Sequence, residues 1–349
     1  MIAPLPPRLI EGGYASAGLL TDIVLRKYVD HLPLHRQEQI LRTRHGIELS
    51  RKTMCDWIRV VADWLTPIYN HIREELRKSG YLQIDETPVR YCGEEGRGSS
   101  QGYLWVFNRP GKEVLYEWHT SRAAACLEDM LKAFRGTVQC DGYGAYSSYA
   151  KGRDDIELAA CWAHVRRKFY DFHVAHNSPI AAEALERIGR LYVVEAEIRG
   201  RPPDERRRVR QARAGPELES LHAWLHTTLT AISKKSELTV AIRYALSRWT
   251  ALTRYRDDGR IEIDNNAAER SLRAVALGRK NWLFAGSDDG GERAAAIYSL
   301  LGTAQLNGLN VEAYLRHVLE RLPDHPINRV EELLPWAIAQ ELPSLRMAA

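Results

Sequence analysis

Between Tyr81 and Trp162 the chain changes hydrophobic period, and that stretch limits the folds open to it more than any other. Residues 81–89, 102–108 and 113–119 read as strands separated by glycine-bearing turns. Residues 122–134 then recur at helical spacing, and 138–141 and 158–162 read as two further short, buried strands. The resulting order, β-β-β-α-β-α-β, describes a hairpin-built sheet that is α/β in class, mixed and five-stranded.

Two of those strands run into aspartates. Ile84-Asp85-Glu86-Thr87 ends the apolar run of the first, and Cys140-Asp141-Gly142-Tyr143 ends that of the fourth, where Gly142 lets the backbone turn at once. This is the order of the ribonuclease H-like fold, with one acid on its first strand and another just after its fourth. A strand-end acid lies where ligands gather at the edge of an α/β sheet. The third acid, Glu269, falls one turn into a helix that starts near Asp264 or Asn265, in Asn265-Asn266-Ala267-Ala268-Glu269-Arg270. Carboxylates so placed can hold two divalent cations about 3.5–4 Å apart, which clamps the attacking and leaving oxygens of an in-line phosphoryl transfer. Plainer roles compete: either aspartate alone is an ordinary strand-end residue, and Glu269–Arg273 is a surface i,i+4 pair worth ~0.3–0.5 kcal/mol. The separation of Asp141 from Glu269 exceeds what a minimal core of this kind needs, and the helical stretch 163–255 accounts for the excess as an insertion.

Charge supports a phosphodiester partner through its distribution rather than its total. The net charge is only +4, but Arg199, Arg201, Arg206, Arg207, Arg208, Arg210 and Arg213 crowd one stretch, and Arg270, Arg273, Arg279 and Lys280 follow Glu269 directly. Positive charge beside an acidic site draws in a backbone that the carboxylates would otherwise repel. His164 is placed near the site at a strand-to-helix junction, with Arg166, Arg167 and Lys168 as phosphate contacts and Phe169 and Tyr170 as core. Cys161 and His164 lack a second ligand pair at zinc-site spacing. The five cysteines are scattered without a Cys-x-x-Cys, which supports neither a disulfide framework nor a zinc ribbon. A hydrophobic content of 45% with 27% charged residues argues against disorder and against a membrane protein, and no signal peptide or spanning run is present, so cytoplasmic residence is expected.

Length suggests two or three domains. After an extended, Pro- and Gly-rich lead-in, helices are expected at 19–28, at 34–41 and from an N-cap at Ser50 through Trp64, with Gly46 in the last turn. This spacing resembles a helix-turn-helix presenting Arg51 and Lys52 to DNA, or else a small helical bundle. The long helical stretch is interrupted at the Arg/Pro-rich residues 199–216. Helix returns after Asp264, breaks at the glycine-rich 286–291, and resumes at 292–306 and 311–322. The expected boundaries are 1–79 for the helix-turn-helix-like segment, 80–165 for the first part of the core, 166–258 for the insertion, 259–322 for the acidic helix and C-terminal core helices, and 323–349 for a tail.

The strings YLQIDETPV, QCDGYGAY, CWAHVRRKF and IEIDNNAAERSLRAVALGRKNWLFAGS, with YVDHLPLHRQEQI near the N-terminus, closely resemble the insertion sequence 66 family of bacterial transposases. The resemblance implies a DDE transposase: a ribonuclease H-like catalytic core with a helical insertion, preceded by an all-α segment, its triad on Asp85, Asp141 and Glu269. It implies Mg²⁺ or Mn²⁺ as two ions on that triad. DNA contacts are expected from Arg51, Lys52, His164, Arg166, Arg167, Asn266, Arg270, Arg273, Arg279 and Lys280. The partners implied are double-stranded DNA, both element ends and target, a homo-oligomer assembled on it, and small accessory proteins of the same element, in a nucleoid-associated setting and with no membrane. Family members carry an N-terminal coiled-coil-like and zinc-binding region that the start at Met1-Ile-Ala-Pro lacks, so a truncated copy is expected. The residues leave open a remnant that binds DNA without transposing, or a nuclease without strand transfer.

Overall fold

The computed structural model describes residues 8–93 and 98–347. Most of the expected lead-in, residues 1–7, and residues 94–97 of the first hairpin turn lie outside the described residues. The chain divides into two units, Met1–Ala133 with Ala268–Ala349, and Phe134–Ala267.

The first unit opens with α1 (Ala17–Tyr28), α2 (Leu34–His45) and α3 (Arg51–Arg77). Ser16 and Ser50 start α1 and α3 by accepting hydrogen bonds from the Leu19 and Thr53 amides, at 3.2 and 3.1 Å. Gly46, at φ +65°, ends α2 in the left-handed conformation that a residue without Cβ adopts most easily. Along α3 the buried Met54, Trp57, Ile58, Val61, Leu65, Ile68, Ile72 and Leu76 recur at three and four, which carries the helix well past the expected Trp64. The buried Gln37 amide ties α2 to α1 through the Ile23 carbonyl, at 3.3 Å.

Strands β1 (Tyr81–Cys92), β2 (Ser99–Arg109) and β3 (Glu113–His119) pair antiparallel in that order. Their register sets Asp85, Val106 and Tyr116 in one cross-strand row, and Gln83, Asn108 and Val114 in another. The expected helix at 122–134 is reduced to a 3-10 turn, Ala124–Leu127, and a single turn of α4 (Glu128–Leu131). The apolar spacing there is satisfied by Cys126, Leu127, Met130 and Leu131 entering the core from this short turn.

In the second unit β4 (Gly136–Cys140) and β5 (Ile156–Ala160) are parallel, with α5 (Gly144–Ala150) as part of the crossover. Then follow α6 (Trp162–His176), α7 (Pro179–Glu197), α8 (Pro203–Val209), a π-helical turn (Arg210–Ala214), α9 (Gly215–Ala231), α10 (Glu237–Leu246) and α11 (Trp249–Thr253). The arginine-rich segment is therefore helical from Pro203 onward, and its expected interruption shrinks to the few residues before it. Two of its arginines are used internally, while Arg199, Arg201, Arg207, Arg208 and Arg213 are exposed. Arg206 grips Glu262 with two bonds of 2.8 Å. Arg210, fully buried, grips Glu195 at 2.7 and 2.6 Å and donates to the carbonyls of Tyr255 and Ile261 at 2.8 and 2.9 Å.

The chain returns to the first unit through α12 (Asn266–Trp282), followed by α13 (Asp288–Leu306), α14 (Val311–Arg321) and α15 (Pro335–Glu341). Gly290 and Gly291 lie inside α13 instead of breaking it: a Cβ on Gly291 would come within 2.1 Å of the Trp118 ring, so glycine lets the helix press on β3. There the Ser299 hydroxyl accepts from the Tyr116 amide at 2.8 Å, and the Thr303 hydroxyl accepts from the Val114 amide at 3.1 Å and donates to its carbonyl at 2.9 Å. The Tyr69 hydroxyl of α3 donates to the Tyr116 carbonyl at 2.9 Å. Beyond residue 322 the chain stays folded, with Val330, Leu333 and Ile338 buried. Five strands with both antiparallel and parallel pairing, among many helices, make this an α/β fold. No helix among the described residues is long and apolar enough to cross a membrane.

Candidate active site

Strand alternation puts Gln83, Asp85 and Thr87 on one face of β1 and turns Glu86 to the other, where it is buried against Arg122 at 2.6 Å. Asp85 is the fifth residue of a twelve-residue strand rather than its end, because the alternation continues through Val89 to Cys92. Helix α12 is fastened to the Asp85 face. Near its start the Ala268 amide donates to the Gln83 side chain at 3.2 Å. Ser271 accepts at its hydroxyl from Asn108, 3.1 Å away, and at its carbonyl from Tyr116, 2.7 Å away. Towards its end Arg279 donates to the Thr87 hydroxyl at 2.7 Å and the Pro88 carbonyl at 2.6 Å. Asp85 thus lies between the Gln83 and Thr87 anchors, and Glu269 directly follows Ala268. Both acids are half-buried. Glu269 occupies the first turn of α12, the end at which the helix dipole favours a negative charge.

Asp141 follows β4 immediately in the second unit. Its carboxylate accepts from the Tyr143 amide at 2.8 Å, which closes a tight turn through Gly142 at φ +90°. The Tyr244 hydroxyl donates to the Asp141 carbonyl at 2.6 Å. Burial raises the Tyr244 pKa to about 12 against the opposing pull of Arg248. Arg248 and Lys168 cover the Tyr244 ring at 4.1 and 4.5 Å. Two cations therefore sit beside the Asp141 turn, and of these Arg248 was invisible in the sequence because it approaches from 106 residues away.

The expected DNA contacts fall into three groups. Arg51, Lys52, Arg166, Arg167, Arg270, Arg273 and Lys280 are exposed. Arg279 ties α12 to β1, and Asn266 folds onto Asp264 through amide bonds of 3.1 and 2.8 Å, so their polar groups are engaged within the chain. His164 is half-buried in the first turn of α6, just after β5. Phe169 is core as expected, but Tyr170 is 49% exposed. It stands one residue, about 100°, away from the buried Trp162, Val165 and Phe169 stripe.

Tyr170 belongs to a groove of about 490 Å³ lined by Arg166, Arg167, Tyr170, Gly189, Tyr192 and Asn266. Gly189 sits in the middle of α7, where glycine costs about 1 kcal/mol relative to alanine. A Cβ there would meet nothing within 4 Å, so no neighbour requires the glycine. Tyr192 donates to Asp264 at 3.1 Å, and burial pushes its ionisation far above the usual phenol range. An isolated glycine inside a helical pattern is the signal that could have marked this groove in the sequence.

Residues 12–293 match the family model described as transposase IS66 family, and residues 299–336 match the IS66 C-terminal element. Two proteins of Sinorhizobium fredii (strain NBRC 101917 / NGR234) are similar along the chain. Uncharacterized protein y4jD is 40% identical over 351 residues, covering 96% of this chain and 68% of the relative. Uncharacterized protein y4qI is 36% identical over 346 residues, covering 95% and 64%. The chain spans roughly two thirds of the length of these relatives. With matches this extensive, the chain belongs to the IS66 family of transposases.

Proposed function

We propose that this chain is a DNA transposase that hydrolyses the phosphodiester at an element end and joins the freed 3′-hydroxyl to target DNA. The observation that carries the reading is the fastening of α12 to the Gln83–Asp85–Thr87 face, with Glu269 in its first turn. Asp85, Asp141 and Glu269 form the triad in this reading, and β1 to β5 form a ribonuclease H-like sheet. The donor set is all carboxylate oxygen, which suits the hard cations Mg²⁺ and Mn²⁺. Two such ions, when bound, supply Lewis-acid stabilisation to the attacking and leaving oxygens. The chain does the rest: Arg166, Arg167, Arg270, Arg273 and Lys280 offset the carboxylate charge and hold the DNA backbone.

Helices α1 to α3 act as a helix-turn-helix that presents Arg51 and Lys52 to duplex DNA. Residues 166–258 are an insertion in the core, and the protein works as a homo-oligomer on DNA in the nucleoid, with small accessory proteins of its element. The test is incubation with labelled element-end DNA, Mn²⁺ and a supercoiled target, scoring nicks and joined products. Asp85→Asn, Asp141→Asn and Glu269→Gln should each lower joining by more than about 100-fold, since even outer-shell partners of metal ligands are worth about 10–100-fold. Joining that survives any of the three substitutions refutes the triad. Nicks without joining would make the protein a nuclease, and binding without nicks would make it a DNA-binding protein only.

A further inference from the structure

We propose that the groove between α6 and α7 holds one unpaired nucleotide of single-stranded DNA, its base against Tyr170 and its phosphate at Arg166 and Arg167. The inference rests on the reading that this chain acts on DNA, and it adds a subsite that recognises a strand rather than a duplex.

Four observations converge on the groove. Tyr170 exposes half of its surface although the buried stripe of α6 is complete without it. An aromatic ring held on a helix offers a flat face to any base, and such stacking is indifferent to sequence. Arg166, one turn earlier, lies over that ring at 6.0 Å, and Arg167 adjoins it with an exposed 3.8 Å pairing to Asp171. Two cations beside an aromatic face match a base joined to a phosphate. The opposite wall carries Gly189, where α7 gives up helix stability and no neighbouring atom occupies the space. That glycine leaves this wall open. At about 490 Å³ the groove is within the range of small-ligand sites, about 300–1,000 Å³. It takes one nucleotide, whereas a duplex, with grooves about 6–12 Å wide of its own, could touch only the rim.

The nearby acid does not oppose this. Asp264 is covered by Tyr192 at 3.1 Å and by the Asn266 backbone and side-chain amides at 3.1 and 2.8 Å, which spreads its charge over three donors.

The test compares a single-stranded oligonucleotide carrying a fluorescent adenine analogue with a labelled duplex of the same sequence, both titrated with the full chain. Tyr170→Ala removes the stacking face, Tyr170→Phe retains it, and Gly189→Leu fills the groove with a better helix former. Strand affinity should fall roughly 5- to 150-fold for Tyr170→Ala, the range of one lost base stack, and comparably for Gly189→Leu. Tyr170→Phe should stay within about twofold, and duplex affinity should change by less than about twofold throughout. Thermal midpoints at or above wild type for Gly189→Leu show that the fold is intact. Strand and duplex weakening together, or strand binding that ignores both Tyr170→Ala and Gly189→Leu, overturns the proposal. The reading as a transposase is judged separately by Mn²⁺-dependent joining, so a chain that binds strands through the groove without joining them would lose that reading and keep this one.

Discussion

Replacing Arg210 by methionine should be among the most damaging single substitutions in the second unit. The guanidinium is fully buried and makes two bonds to Glu195, at 2.7 and 2.6 Å, and two short bonds to the Tyr255 and Ile261 carbonyls. Removing one member of a buried pair costs about 3–5 kcal/mol, because the other charge is left in a low-dielectric interior. Arg206 remains 3.7 Å from Glu195 and offsets part of that, so a cost of about 3–4 kcal/mol is expected. Against a typical domain stability of about 5–15 kcal/mol this leaves a folded but weakened unit. With a urea slope of about 2 kcal/mol/M, the midpoint should fall by about 1.5–2 M at unchanged slope. The double variant Arg210→Met/Glu195→Met decides between charge and packing. It removes the stranded carboxylate but still orphans the two carbonyls, so it should recover at least about 1 kcal/mol relative to Arg210→Met alone. A double variant as unstable as the sum of the two singles, or a single-variant cost below about 1 kcal/mol, refutes the account of a buried, charge-dependent clamp.

Burial sets Tyr244 at about 12 in the folded chain, above the unfolded value of about 10. The stability its neutral form contributes is complete below about pH 10 and lost towards pH 12, so urea midpoints over that interval should fall more steeply for wild type than for Tyr244→Phe; parallel curves would contradict the shift. Thr303→Val deletes both an acceptor and a donor facing Val114, and each buried backbone group left unpaired costs about 1–3 kcal/mol. Its thermal midpoint should drop clearly below that of Thr250→Val, an exposed control, and equal midpoints would refute the role assigned to Thr303.

What could be read from the chain was what depends on local order. The Ser50 cap, the turn at Gly46, the three antiparallel strands and the first turn of α12 are all written in residues a few positions apart, and each was expected where it occurs. The misreadings share a non-local cause. Arg206 and Arg210 looked like a basic face because their acids stand 56 and 15 residues away in sequence. A break does separate α12 from α13 at Gly286, but Gly291 looked like part of it because its reason, the Trp118 ring, belongs to a distant strand. Asp85 is different: alternation continuing through Thr87 and Val89 already marked it as a mid-strand residue. Which acids share a site depends on register and on the anchors of α12, and neither is encoded in neighbouring residues.

The outer border of β3 has a consequence for how copies of this protein can associate. A strand with one unpaired side normally offers its amides and carbonyls to any passing extended segment, which invites fibrillar growth or strand exchange. Here the amide and carbonyl of both Val114 and Tyr116 are already claimed by the hydroxyls of Thr303, Ser299 and Tyr69. Because those hydroxyls sit on helices, the claim persists as long as α3 and α13 stay docked. The centre of this border is therefore chemically silent: a partner has to recognise side chains there, and the sheet cannot be lengthened across it without first dislodging a helix.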